Sequence, residues 1–334
     1  MRELIRTNNA VLVSAIGALL EGAAIPHMVL DQHMSVLEGS LGILPRRILV
    51  DDERHDEARR LLQDAGLAHE LQELPLGQVQ DTANETTDDA VLGGRLRLLQ
   101  QRRGHRVGHD AILLAAATAA LPGERAVELG SGVGAAGLAL AARVPGLAVT
   151  LVEIDPQLCE LARANARTNA LAEHVEVLCL DLAAPAALRA AGLDPGSVDR
   201  VLMNPPFSDA TRQNVSPDHG RRLAHAASPE TLTLWIDAAA RLLAPGGVLT
   251  LIWRADGLAD VVRALDAAFG GVTVLPVHSK AGEPAIRILV RATKASGAPL
   301  ALLPGFALND GAGRPTEAAE AVLRAGAVLP LAEM

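Results

Sequence analysis

The chain has 334 residues, 49% of them hydrophobic, and a formal net charge of −9. That length suits one large domain with a smaller one, and the apolar content is ample for buried cores. The negative charge excludes a protein that coats nucleic acid non-specifically; two cysteines, Cys159 and Cys179, are too few for a disulfide framework and show no metal-ligand spacing, so a metal-free protein of the reducing cytoplasm is expected.

Glu3 to Arg6 reads as a short strand. The apolar run from Ala10 to Leu20 follows Arg2 and Arg6, but Glu3 interrupts the would-be positive region and no small-residue cleavage site follows Glu21, so a helix is expected there. No run approaches the roughly 18 apolar residues of a membrane span, and no membrane association is expected. Met28 to Leu30 and Arg47 to Val50 read as two further strands, and a second helix follows Asp52. The order strand, helix, strand, strand, helix predicts a small ferredoxin-like α+β domain over residues 1–68. Glu3-Leu4-Ile5-Arg6-Thr7-Asn8, Asp31-Gln32 and Glu38-Gly39-Ser40-Leu41-Gly42 resemble the small bacterial signal-transducing domain family. That resemblance implies the fold and little else; a regulatory role and an unknown ligand or partner stay open for this domain. Gly39 and Gly42 read either as a ligand-binding loop or as a plain connection between strands.

No Lys or Arg occurs between Leu61 and Gly94, while Asp81, Glu85, Asp88 and Asp89 gather among Thr, Asn and Gln, so residues 69–88 read as a solvated acidic linker. The Gly93-Gly94 pair between alternating segments is a hairpin signal. Beyond Ala120, strands and helices alternate as in a doubly wound, mostly parallel α/β sheet, and residues 89–334 are expected to form the second domain.

Ala126 to Leu129 is a buried-type strand that runs into Gly130-Ser131-Gly132-Val133-Gly134, and a helix follows from Ala135. Glycines let a cofactor approach the backbone, and the helix N-terminus offers unpaired N–H groups. A second strand ends at Glu153, whose carboxylate suits the hydroxyls of a ribose. Gly132-Val133-Gly134-Ala135-Ala136-Gly137 also matches the dinucleotide fingerprint, so a nicotinamide-dependent dehydrogenase stays open at this point. Asp155 before Pro156 reads as a helix cap. The two cysteines read as small core residues.

Val201-Leu202-Met203 is a fourth strand that delivers Asn204-Pro205-Pro206-Phe207 to its carboxyl end, where open parallel sheets bind ligands. The tetrapeptide suits a planar amine. Asn204 and the carbonyl of Pro205 can each accept a hydrogen bond from an NH2 group, and Phe207 can stack on the attached ring. Pro205 and Pro206 stiffen the turn and withhold competing donors.

Glu128-Leu129-Gly130-Ser131-Gly132-Val133-Gly134 resembles the first motif of class I S-adenosylmethionine-dependent methyltransferases, which have a Rossmann-like fold. The resemblance implies that Glu128, Gly130, Ser131, Gly132, Gly134, Glu153, Ile154 and Asn204 form the S-adenosylmethionine site. It also implies that Asp181, ending the third strand, accepts from the adenine amino group, with Leu182 beside it. Together with Arg106-Val107-Gly108-His109-Asp110-Ala111-Ile112-Leu113-Leu114, these motifs resemble the bacterial tRNA (adenine-N6) methyltransferases that modify valine tRNA. Enzymes that methylate glutamine N5 in release factors share the Asn-Pro-Pro-aromatic signature and are the alternative; a non-enzymatic cofactor-sensing protein is a further one. Many members carry Tyr at the fourth position, so Phe207 keeps the ring and lacks the hydroxyl.

The same resemblance implies that Asp110 either binds the cofactor's ammonium or caps its own helix. His109 reads as a surface residue. Arg95, Arg97, Arg102, Arg103 and Arg106, with Arg212, Arg221 and Arg222 after Phe207, are expected at the mouth of the site, where they either grip an RNA backbone or are ordinary solvated arginines. His225, in the same stretch, reads as a helix-surface residue. Ala285 to Arg291 is expected to be the last strand, antiparallel to Val272 to Val277.

Overall fold

The computed structural model describes residues 2–7, 10–23, 25–30, 46–51, 54–65, 67, 86–102, 106–206 and 229–333. The chain divides into two units, Met1–Asp81 and Thr82–Met334.

In the first unit the expected order holds: β1 (Arg2–Thr7), α1 (Ala10–Gly22), β2 (His27–Leu30), β3 (Arg46–Val50) and α2 (His55–Asp64). β3 lies between β1 and β2 and is antiparallel to both, a split arrangement that places α1 in the crossover between outer strands. Its core is small and aliphatic: Leu4, Ile5, Ile16, Leu20, Ile48, Val50 and Leu62 are each at most 3% exposed. The expected Gly39 to Gly42 loop lies outside the described residues.

The second unit opens with a hairpin, β4 (Thr86–Val91) and β5 (Leu96–Gln101), turned by Leu92–Gly94. Gly93 and Gly94 have φ of +64° and +89°, which explains the glycine pair. Thr86, Thr87 and Asp88 fall in β4 and not in the acidic linker expected from composition. Composition misled because the acids are paired: Asp88 meets Arg97 at 2.5 Å, and Asp89 meets Arg106 at 2.6 Å. The hairpin docks on α5 (Pro156–Thr168) through Asn165, which accepts from Leu99 N and donates to Leu99 O, and through Asn169, which does the same for Arg97.

The main sheet then builds up from α3 (His109–Ala117), β6 (Arg125–Leu129), α4 (Ala135–Arg143), β7 (Ala148–Glu153), α5, β8 (Val175–Cys179), α6 (Pro185–Ala190), β9 (Val198–Met203), α7 (Pro229–Leu242), β10 (Leu243–Arg254), α8 (Leu258–Leu265), β11 (Phe269–Lys280) and β12 (Ala285–Lys294). Its order is β8-β7-β6-β9-β10-β12-β11; the first five strands are parallel, and β12 is antiparallel to both β10 and β11. This is the expected doubly wound, Rossmann-like sheet. β12 is not the last strand, because β13 (Ala301–Leu302) and β14 (Phe306–Asn309) add in parallel to the outer edge of β11, before α9 (Glu317–Leu323). They cover an otherwise open edge.

One face of the sheet buries α3, α4 and α5 through Leu113, Leu138 and Ala162; the other buries α6, α7 and α8 through Leu188, Ile236 and Val261. Central strands covered on both sides must be apolar throughout, as Val201, Leu202 and Met203 are. Among the described residues, no helix is long and apolar enough to cross a membrane.

Candidate functional site

β6, β7 and β9 end side by side. Leu129 is paired with both Val152 and Met203, so the residues that follow them, Gly130, Glu153 and Asn204, leave adjacent strands at the carboxyl edge, about 4.8 Å apart per strand. Glu153 in turn pairs with Cys179, two residues before Asp181. The fold thus brings the glycine loop, the strand-end acid, Asp181 and the Asn-Pro-Pro turn to one edge.

The glycines of the loop serve different ends. At Gly130, with φ +64°, a Cβ would lie 2.1 Å from the ring of Trp235 on α7. At Gly134, with φ +85°, it would lie 2.7 Å from Leu151. Gly132 differs: its φ is +56°, yet no described residue lies within 4 Å of the Cβ position. The loop is therefore packed from behind and open in front, as a cradle for a ligand would be.

Two acidic side chains hold this loop and the first turn of the helix after it. Glu153, 7% exposed, accepts from Gly132 N at 2.8 Å through Oε2 and from Ile154 N and Asp155 N through Oε1. Oε2 keeps a second lone pair, which suits a ribose hydroxyl. Glu128, 4% exposed, accepts from Gly137 N at 2.7 Å, a donor in the first turn of α4 that its cap, Gly134, has no side chain to satisfy. Burial, with Glu153 nearby, pushes the Glu128 carboxyl up to about 8. Glu128, expected among the cofactor ligands, lies beneath the loop and acts through it.

Asn204 is half-buried, Pro205 buried and Pro206 exposed. The Asn204 Oδ1 and Ser131 Oγ atoms are buried without hydrogen-bond partners among the described residues. Such orphaned atoms are costly unless something meets them. Ile154 is 64% exposed, an apolar surface beside Glu153 that suits the face of a base, and Leu182 is half-buried. The open Gly132, the unpaired Ser131 Oγ, the Glu153 side chain and the bare Ile154 are a polar and apolar set that S-adenosylmethionine would fit.

Other expected residues stand differently. Asp110 does not cap α3, whose cap is Gly108; its Oδ2 pairs with Arg287 of β12 at 2.9 Å. Asp181 is exposed and accepts from Ala183 N at 2.8 Å, which begins a turn. Asp155 caps α5, accepting from Gln157 N and Leu158 N. His109 is exposed. Cys159 is buried, its thiol in contact with that of Cys179 and pushed up to about 12 by burial. Cys179 is exposed and so is not the core residue expected. Phe207, Arg212, Arg221, Arg222, His225 and Arg103 lie outside the described residues.

The expected arginine rim divides. Arg95 and Arg97 sit at the hairpin turn, where Arg97 N reaches Asn169 after the last turn of α5 and Arg95 donates to Ala325 O, so they mark the sheet edge opposite the glycine loop. Charge spacing alone could not reveal that a hairpin carries them away. Arg106 is fastened to Asp89 and Thr87. Arg102 is exposed.

Two residues escaped the sequence reading. Trp235 backs Gly130; its only signal was rarity, as one of two tryptophans. Asn165, fully buried, donates to Val133 O of the glycine loop at 3.0 Å as well as to Leu99 O. An amide on the buried face of a helix was the available signal.

Residues 107–280 match the family model described as "Methyltransferase small domain", and residues 1–66 match "Putative prokaryotic signal transducing protein". A tRNA1(Val) (adenine(37)-N6)-methyltransferase of Porphyromonas gingivalis is 32% identical over 161 residues, 47% of this chain and 61% of that protein. A release factor glutamine methyltransferase of Chlorobaculum tepidum is 31% identical over 160 residues, 46% of this chain and 53% of that protein. The chain thus spans between about half and three fifths of these curated relatives. Among solved structures, one described as a predicted O-methyltransferase, protein Atu636 from Agrobacterium tumefaciens, is 31% identical with a TM-score of 0.56, covering 66% of this chain and 98% of that one.

Proposed function

The chain belongs to the methyltransferase small-domain family, whose cofactor is S-adenosylmethionine, and on that premise we propose that it methylates the N6 amine of an adenine in tRNA. One observation carries the reading: Asn204 Oδ1, without a partner among the described residues, stands at the end of β9, next to the glycine loop at the end of β6. A methyl acceptor with two N–H donors satisfies it.

S-adenosylmethionine supplies a methyl group already activated on a sulfonium. The protein's task is alignment and polarisation. Asn204 Oδ1 and the Pro205 carbonyl accept the two amine hydrogens, which turns the nitrogen lone pair toward the methyl group and favours the positive charge that develops on nitrogen. Phe207 stacks on the base, which must leave its own stack to enter. Glu153 and Glu128 fix the loop that faces the acceptor. Afterwards the surplus proton leaves the nitrogen to water. Arg102 and Arg103, with Arg212, Arg221 and Arg222, are proposed to meet the RNA backbone; Arg106 is engaged with Asp89 and positions the segment before α3.

Methylation of a glutamine amide in a release factor is the second reading, favoured by the similar identity of the Chlorobaculum tepidum protein. The amide nitrogen would use the same two acceptors. Residues 1–68 are proposed to be a separate domain that binds a ligand or partner, and the cytoplasm to be the site of action.

Incubation of the full chain with labelled S-adenosylmethionine and the RNA and protein of a strain lacking the gene, followed by digestion of each fraction, tests the reading. N6-methyladenosine in the RNA is expected. Label only in N5-methylglutamine would replace the first reading by the second, and label in neither would overturn both.

A further inference from the structure

A cavity of about 210 Å3 lies in the second unit, away from the glycine loop. α4 leaves that loop at Ala135 and reaches the cavity at Ala139, Ala142 and Arg143, so the helix carries the chain roughly 12 Å from one to the other. The hairpin turn and the segment after α9 close its other sides. The room exists because α3 and α4 meet through alanines there.

Its floor is apolar, made by Leu96, Ile112 and Val322, each at most 5% exposed. Its only charged lining residues are Arg95 and Arg143, and no acid is among them. Arg143 donates to Ala115 O and Thr118 O at the end of α3, and Arg95 donates to Ala325 O. Neither has a carboxylate partner among the described residues. Burial lowers the Arg143 pKa below its ordinary value, so the charge there is held at a cost that an anion would offset. An apolar hollow of about 150 Å3 admits a benzene ring, and a guanidinium pairs with a carboxylate through charge-assisted hydrogen bonds.

We propose that this cavity is a second binding site, for a small monocarboxylate whose apolar body is about the size of one six-membered ring. The ring lies against Leu96, Ile112 and Val322, and the carboxylate meets Arg95 and Arg143. The cavity shares no lining residue with the transfer site, so the proposal does not depend on the methyl acceptor.

Calorimetric titration of the full chain with benzoate, and with benzyl alcohol as the neutral counterpart, tests it. Arg95→Gln removes a charge from an exposed position, and Ala142→Leu fills the cavity from an exposed position; thermal melts and S-adenosylmethionine binding confirm that each variant is folded. One saturable site for benzoate is expected, with affinity at least ~10-fold lower for benzyl alcohol and for Arg95→Gln, and no binding in Ala142→Leu. Absence of saturable benzoate binding, equal affinity for the neutral probe, or an unaltered affinity in either folded variant would overturn it.

Discussion

At the scale of single residues, the site is organised by what its polar atoms lack or share. Asn204 Oδ1 has no partner among the described residues, whereas Glu153 holds three backbone N–H groups. Asn204→Ala is therefore expected to lower turnover by about 10²–10³-fold, the scale of losing one preorganised polar contact to a developing charge, while calorimetry finds S-adenosylmethionine affinity near that of the parent; comparable turnover would refute the clamp. Glu128 gives a prediction with a definite sign. Its carboxyl is raised from 4.5 to about 8 in the folded chain, so between those values the folded state holds a proton that the unfolded state has lost. The stabilisation is complete below about pH 4.5 and is lost as pH rises toward 8. Melting curves of Glu128→Gln should fall less steeply than the parent's between pH 5 and 8.5, because an amide does not titrate. Parallel pH profiles would show that the buried carboxyl carries no such linkage.

Elements explain why those residues stand where they do. The glycine loop is gripped from three directions: Trp235 of α7 behind Gly130, Glu153 of β7 through Gly132 N, and Asn165 of α5 through Val133 O. Gly130→Ala combines a left-handed φ with a Cβ at 2.1 Å from an indole, so α7 must move. A loss of about 1–3 kcal/mol is expected in denaturant titration, with weaker S-adenosylmethionine binding; Gly132→Ala, with open space before it, should cost less stability. Equal costs at the two glycines would remove the distinction between the packed back and the open front. Asn165 also ties the β4–β5 hairpin to the loop, which links a segment before the sheet to the site.

The whole molecule consists of two units with separate cores, one around Ile16 and Ile48, the other two on either face of the main sheet. A chain beginning at Thr82 is expected to melt cooperatively and to bind S-adenosylmethionine as the full chain does, since every residue of the proposed cofactor site lies within it. Failure to fold, seen as a loss of the thermal transition, would show that the first unit is needed. Strand and helix order, the hairpin at Gly93-Gly94, the glycine loop and the Asn-Pro-Pro turn were legible in the sequence, because periodicity, glycine conformation and proline chemistry act over a few neighbouring residues. The arginines, Asp110 and Glu128 were not legible to the same degree, because their roles depend on partners far along the chain. Asp110 meets Arg287, 177 residues away, and Arg95 meets Ala325, 230 residues away. The sequence by itself determined the family, the class of sheet and the edge at which the glycine loop, Glu153 and Asn204 gather. Only the tertiary structure decided which charges remain available at that edge, since an ion pair or a buried carboxylate is made by groups that folding alone brings together.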